Sequence, residues 1–243
     1  MWDCSAKRPC RHRGGGGTIN VTMHLRELIL STPDVRRQRA FYAEALGLPL
    51  QADSTTSFTV AVGQSQLRFE QKSRGLFEHS GAYHFAFNIP ENQLSAGAAW
   101  LIARQPLIVD GQQQTVFDFQ NWQAHSVYAF DPASNVIELI ARHRLPNASI
   151  RPFDAASLLS ISEIGWPTDD VRAQVDQFRQ QLNIPVFDGS GSETFSALGD
   201  DNGLLIVVKR GRVWYPDSGK TAEHWPIRLQ VEVDGKRTAL ELA

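Results

Sequence analysis

Two side chains able to ligate a cation or move a proton, His84 and Glu138, each sit inside a strongly β-prone run. The runs are Tyr83-His84-Phe85-Ala86-Phe87-Asn88-Ile89 and Val136-Ile137-Glu138-Leu139. Successive side chains of a strand point to opposite faces. His84, Ala86 and Asn88 are therefore expected on one face, with Tyr83, Phe85, Phe87 and Ile89 on the other. Glu138 likewise lies opposite Ile137 and Leu139. An imidazole and a carboxylate, each on the less apolar face of its strand, predict a lined cavity rather than a packed core. Both types ligate divalent metals and serve in acid–base chemistry.

An internal repeat organises the elements that position them. Leu25 to Leu30 reads as a strand, followed by Thr32-Pro33-Asp34-Val35-Arg36, a helix start with Thr32 as N-cap and Pro33 at the first helical position. Phe41, Tyr42, Ala45 and Leu46 fall on one helical stripe, and Gly47 supplies a left-handed stop. The same grammar returns at Ser162-Glu163-Ile164 and Thr168-Asp169-Asp170-Val171-Arg172, with Val171, Val175, Phe178 and Leu182 as the stripe and Asn183 in place of the glycine. Glu27 maps onto Glu163, Val35 onto Val171, Tyr42 onto Phe178, Leu46 onto Leu182 and Pro49 onto Pro185 without a gap. One register held through strand, cap and helix marks a duplicated supersecondary unit. A more divergent copy lies between, opening on the His84 strand, passing a helix between Pro90 and Ala103, and closing on the Glu138 strand. Three modules result, over 23–79, 80–143 and 158–224, with a linker from Arg144 to Ala156 and a last strand from Pro226 to Val233.

The composition of the 243 residues is that of an ordinary globular protein, 42% hydrophobic and 21% charged. A formal net charge of −2 gives no electrostatic case for nucleic acid. No run approaches the roughly 18 apolar residues of a membrane span, and no secretory signal is evident. Both cysteines, Cys4 and Cys10, lie in the first ten residues, so no disulfide framework is expected and a cytoplasmic location is the default reading. Residues 1–22, basic and carrying Gly14 to Gly17, read as a flexible extension.

The His84 strand, the Asp131-Pro132-x-x-Asn135 turn and Glu138 in Val-Ile-Glu-Leu resemble the vicinal oxygen chelate superfamily of glyoxalase I, the fosfomycin- and bleomycin-resistance proteins and the extradiol dioxygenases. The resemblance runs from about Met23 to near the end of the chain. It implies an α+β fold of repeated βαβββ modules, cupped mixed sheets with helices outside, and paired modules closing around a divalent metal. Residues 23–143 are expected to form one such pair carrying the site, and 158–243 a third module with one extra strand. That strand, or a second subunit in a homodimer, is expected to cap the third module.

The resemblance places candidate metal ligands at Glu27, His84 and Glu138, for zinc, nickel, manganese or iron. Glu27 stands where many members have histidine. Two registers of the strand Leu67-Arg68-Phe69-Glu70 remain open, bringing Arg68 or Glu70 to the site as substrate-binding groups, together with Tyr128. His125 is the candidate general base; His143, just past the Glu138 strand, reads as exposed. Gly211-Arg212-Val213-Trp214-Tyr215-Pro216 reads as a binding-groove wall or as a hairpin packed by its own aromatics. The functional reading is a metal-dependent lyase, isomerase or transferase acting on a small oxygenated metabolite. The second is a metal-free protein that sequesters a small molecule, and the third an extradiol dioxygenase. The third ranks lowest because those enzymes use two histidines and one glutamate, in a second module pair that is incomplete here.

Overall fold

Three times the chain builds a first strand, a helix on the outside and a return to a strand parallel to the first, the crossover that a parallel pair requires. The computed structural model describes residues 21–73 and 81–242; the expected extension over 1–22 therefore falls, up to residue 20, outside the described residues. The first module comprises β1 (Met23–Thr32), α1 (Val35–Arg39) continued by a π-helical turn (Ala40–Ala45), then β2 (Leu50–Asp53), β3 (Ser57–Val62) and β4 (Ser65–Gln71). The second comprises β5 (Gly81–Ala82), β6 (His84–Ile89), α2 (Leu94–Ile102), β7 (Phe117–Phe119), a 3-10 turn (Gln120–Trp122), β8 (Ala124–Phe130) and β9 (Val136–Arg142). The third runs through β10 (Ser160–Thr168), α3 (Val171–Leu182), β11 (Phe195–Asp200) and β12 (Gly203–Lys209). A short β13 (Thr221–Ala222) and a hairpin of β14 (Ile227–Val233) and β15 (Lys236–Leu242) follow. The fold is α+β, as expected. No described helix is long and apolar enough to cross a membrane.

The repeat is real at the level of local structure. Within each module the first strand pairs in parallel with the last, β1 with β4, β6 with β9 and β10 with β12. The pairing shifts register between Leu25 and Glu27 in β1 and between Ile161 and Glu163 in β10, so the two equivalent glutamates sit at equivalent irregularities. The helix caps lie two residues later than expected: Asp34 accepts from the Arg37 backbone N–H, and Asp170 from that of Ala173. Thr32 and Thr168 instead accept from the backbone N–H of those two aspartates. Gly47 and Asn183 both take the left-handed conformation expected of them, with φ of 74° and 54°.

The modules do not associate as expected. β6 pairs antiparallel with β10, not with β1, giving the strand order β11-β12-β10-β6-β9-β8-β7. This is a cup made of the second and third modules. The first module pairs instead with the terminal hairpin, in the order β2-β3-β4-β1-β14-β15. The two cups join where Leu25 of β1 meets Ile161 of β10. The expected pair over 23–143 is thus split between the cups. The 227–233 strand covers the edge of β1 rather than the third module, whose outer strand β11 is met by a bridge from Val186 to Leu198 and by Ser190, which bonds the Ala197 backbone. After Ala222 the described chain makes two strands, not one, because Asp234-Gly235, both at positive φ, turns β14 back into β15.

The helix-facing side of the sheet is the main core, where Phe85, Phe87, Phe69, Tyr42 and Phe178 are buried together. That leaves the opposite, concave side of each cup for chemistry.

Candidate metal centre and cavity

A buried turn sets the two strands that carry the site. One Asp131 carboxylate oxygen accepts from the backbone N–H of Ala133 and Asn135. The other accepts from Gln38 Nε2 at 2.6 Å, Tyr42 Oη at 3.0 Å and Asn135 Nδ2 at 2.8 Å. Asn135 Oδ1 in turn accepts from the backbone N–H of Tyr83, the residue before β6. One turn therefore locks the start of β6 to the start of β9. Burial pushes the Asp131 carboxyl above the usual carboxylate range despite these donors.

In that register Ala86 of β6 lies between Glu138 of β9 and Glu163 of β10. His84, one pleat along the same face, reaches Glu138 with Nε2 at 3.0 Å from Oε2. Ser126 of β8 donates to the other Glu138 oxygen. Arg142, wholly buried, pairs with Glu163, donates from Nε to Ser162 Oγ at 3.2 Å and lies 3.5 Å from Asp201. One ligand atom from each of His84, Glu138 and Glu163 falls within 4.8 Å of the others, the one such grouping of three among the described residues. Burial, and then the nearby Glu138 carboxylate, push the Glu163 carboxyl up to about 7, while Arg142 and His84 act in the opposite direction. The Tyr128 hydroxyl is held well above its usual range by burial and by the same two glutamates.

This cluster forms the floor of a cavity of about 270 Å³. The walls are Phe119, Trp122, Tyr128, Phe195, Trp214 and Tyr215, with Arg212 among the lining residues. Trp214 sits on the loop after β12, donates from Nε1 to the carbonyl of Ala82 at 2.8 Å and packs 5.3 Å from the His84 ring. Gly165 makes room for it, since a Cβ there would lie 2.4 Å from the indole. The aromatic segment after Gly211 is therefore a cavity wall. Across the ladder from Glu163 stands Leu204, and β12 lines the cavity with Ile206 and Val208; none of these can ligate, so the donor set is one-sided and open to the cavity.

The other expected residues fall elsewhere. Glu27 lies on β1 between Gln66 of β4 and Gln230 of β14, in the cup of the first module. Arg68 and Glu70 belong to that cup too, paired with each other at 3.2 Å, and Glu70 also pairs with Arg228. The reason is the exchange of partners between modules: β1 takes β14 as its antiparallel neighbour, leaving β10 to bring its equivalent glutamate to His84. His125 alternates with Ser126 and Tyr128 along β8 and so faces away from Glu138, which Ser126 bonds, and from the cavity that Tyr128 lines. Tyr128 does line it. Glu163 and Arg142 were not among the expected site residues. The signal for Glu163 was present in its register with Glu27.

No protein-family profile matches the sequence, and no curated relative does. Solved structures do match the fold. A putative dioxygenase from Bacillus subtilis superposes with a TM-score of 0.55 at 12% identity, over 77% of this chain and 64% of that one. A mutant of glyoxalase I from Zea mays gives 0.52 at 14% identity, over 88% and 76%. A second mutant of the same maize protein, in another crystal form, gives 0.51 at 14% identity, over 88% and 75%. The chain has the fold of the vicinal oxygen chelate superfamily. At these identities the likeness concerns the fold alone, and the chemistry rests on the cavity. Within that superfamily fold, the cup formed by the second and third modules carries the ligand-type residues at its floor, while the first-module cup displays the Glu27 face.

Proposed function

We propose that the cup between the second and third modules binds a divalent metal through His84, Glu138 and Glu163 and presents it to a small oxygenated ligand with a flat apolar body. The observation that carries this reading is the convergence of three buried ligand atoms at the floor of an aromatic cavity. The donor set suits the ion. Two carboxylates and one imidazole match zinc, nickel, manganese or ferrous iron, and a dication offsets a negative cluster that Arg142 only partly balances. When bound, such an ion supplies Lewis acidity toward adjacent oxygens of a ligand.

The remaining roles belong to the chain. Ser126 and Arg142 hold the two carboxylates from behind. Trp214, Tyr128 and Phe119 exclude water and accept a planar body. Arg212, stacked 5.0 Å over Phe195 and without an ion-pair partner among the described residues, complements a negative group on the ligand. This makes lyase, isomerase or transferase chemistry on an oxygenated metabolite the favoured activity.

One observation favours a second reading, a metal-free binder. His84 already hydrogen-bonds Glu138, and Arg142 already neutralises Glu163, so the cluster can persist without an ion. Titration of the purified chain with manganese, nickel, zinc and ferrous iron, followed by the fluorescence of Trp122 and Trp214, separates the two. The metal reading expects a saturable response that His84→Ala removes. No saturable response to any of the four ions would favour the binder.

A further inference from the structure

Outside the cavity, four neighbouring strands each bring one polar side chain to a single row. In sheet order these are Glu91 just beyond β6, His143 just beyond β9, His125 on β8 and Asp118 on β7. Glu91 Oε2 lies 3.1 Å from His143 Nδ1, and His143 Nε2 lies 2.8 Å from His125 Nδ1. His125 Nε2 lies 3.7 Å from Asp118 Oδ1. The backbone holds the row in place: the His143 N–H donates to the carbonyl of Gln123, Asp118 pairs across the ladder with His125, and the Glu91 N–H donates to Asn147. None of the four lines the interior cavity.

Counting protons shows what the row lacks. A neutral imidazole carries one N–H and one lone pair. Two of the contacts are at hydrogen-bond distance and the third, His125 to Asp118, is at 3.7 Å, so two neutral rings fill the first two only by turning a lone pair of His125 toward the Asp118 carboxylate. Whichever tautomers are chosen, one nitrogen lone pair faces a carboxylate or the other ring's lone pair. A cation between the rings resolves this. Both inner nitrogens then ligate through their lone pairs, and both outer N–H groups donate to Asp118 and Glu91. A carboxylate behind each ligating imidazole is the usual way such ligands are oriented.

We propose that His125 and His143 form a second, solvent-facing site for a borderline divalent cation such as zinc, nickel or copper. Asp118 and Glu91 act as positioning residues and water completes the coordination. Imidazole donors exclude magnesium and calcium, which take oxygen. The site shares no residue with the interior cluster and does not depend on the reading given to it.

Zinc titration of the full chain at neutral pH, read by native mass spectrometry and calorimetry, tests the proposal. The wild type is expected to bind one zinc ion more than either His143→Ala or His125→Gln, while His84→Ala keeps that ion. Glu91→Gln and Asp118→Asn are expected to weaken it about 10- to 100-fold without abolishing it. Equal zinc uptake by wild type and both histidine variants would overturn the site. So would zinc binding only at millimolar concentration and indifferent to Glu91→Gln and Asp118→Asn, which would leave an adventitious pair sharing an extra proton.

Discussion

Glu163 holds in the third module the place that Glu27 holds in the first, yet only Glu163 lies beside Ala86 and within ligating reach of His84. Glu27 meets Gln66 and Gln230 instead. Two residues of equal local grammar are separated by which strand lies antiparallel to their own.

Removing Arg142 alone is expected to cost substantial stability. Its side chain is wholly buried against Glu163 and Asp201. Arg142→Met would leave Glu163 without its cationic partner, while Asp201 keeps Arg144, and should destabilise the chain by about 3–5 kcal/mol. Denaturant unfolding of this variant and of Arg142→Met with Glu163→Gln checks the cause. The second substitution should recover part of the loss.

Gly165→Ala should disturb the cavity before it disturbs the fold. The added methyl collides with the Trp214 indole, whose Nε1 must then give up Ala82. Overpacking of this kind costs about 1–3 kcal/mol. A red-shifted tryptophan emission and a lowered melting temperature are the expected outcome; an unchanged spectrum would show that Trp214 does not close on Gly165.

Glu232 should govern part of the acid sensitivity of the terminal hairpin. Hydrogen bonds from Arg26 on β1, at 2.7 Å, and from Arg237 on β15, at 3.1 Å, pull its carboxyl down to about 2 from an ordinary 4.5. A carboxyl lowered by folding contributes stability above its unfolded pKa, and that contribution is lost as pH falls through the folded value. The wild type should therefore lose more melting temperature than Glu232→Gln between about pH 4.5 and about pH 2. Parallel curves over that window would rule out the pairing as a stabilising feature.

The local pattern was legible because it is written in neighbouring residues. Alternation in the His84 strand fixed Phe85 and Phe87 toward the core and His84 away from it. The shared register of Glu27 and Glu163 fixed the repeat, down to the irregularity beside each glutamate. What sequence did not carry was the choice of module partner. That choice depends on contacts between strands far apart along the chain, and β1 and β10 offer equivalent glutamates at equivalent irregularities. Glu27 was therefore placed at the site that Glu163 occupies. His125 was misplaced for a simpler reason, since strand parity from Tyr128 already sets it on the other face. The Glu91–His143–His125–Asp118 row appears only once four strands are laid side by side.

The most direct test of the account is the metal content of the purified chain, by elemental analysis after equilibration with manganese, nickel, zinc or ferrous iron, for His84→Ala, Glu163→Gln and Glu27→Gln against wild type. The variants are best compared in a His143→Ala background, so that only the interior site is counted. The account predicts one ion per chain in the parent and in Glu27→Gln, and loss of that ion in His84→Ala and Glu163→Gln with folding retained. Loss in Glu27→Gln with retention in Glu163→Gln, or the same metal content in all four, would contradict it.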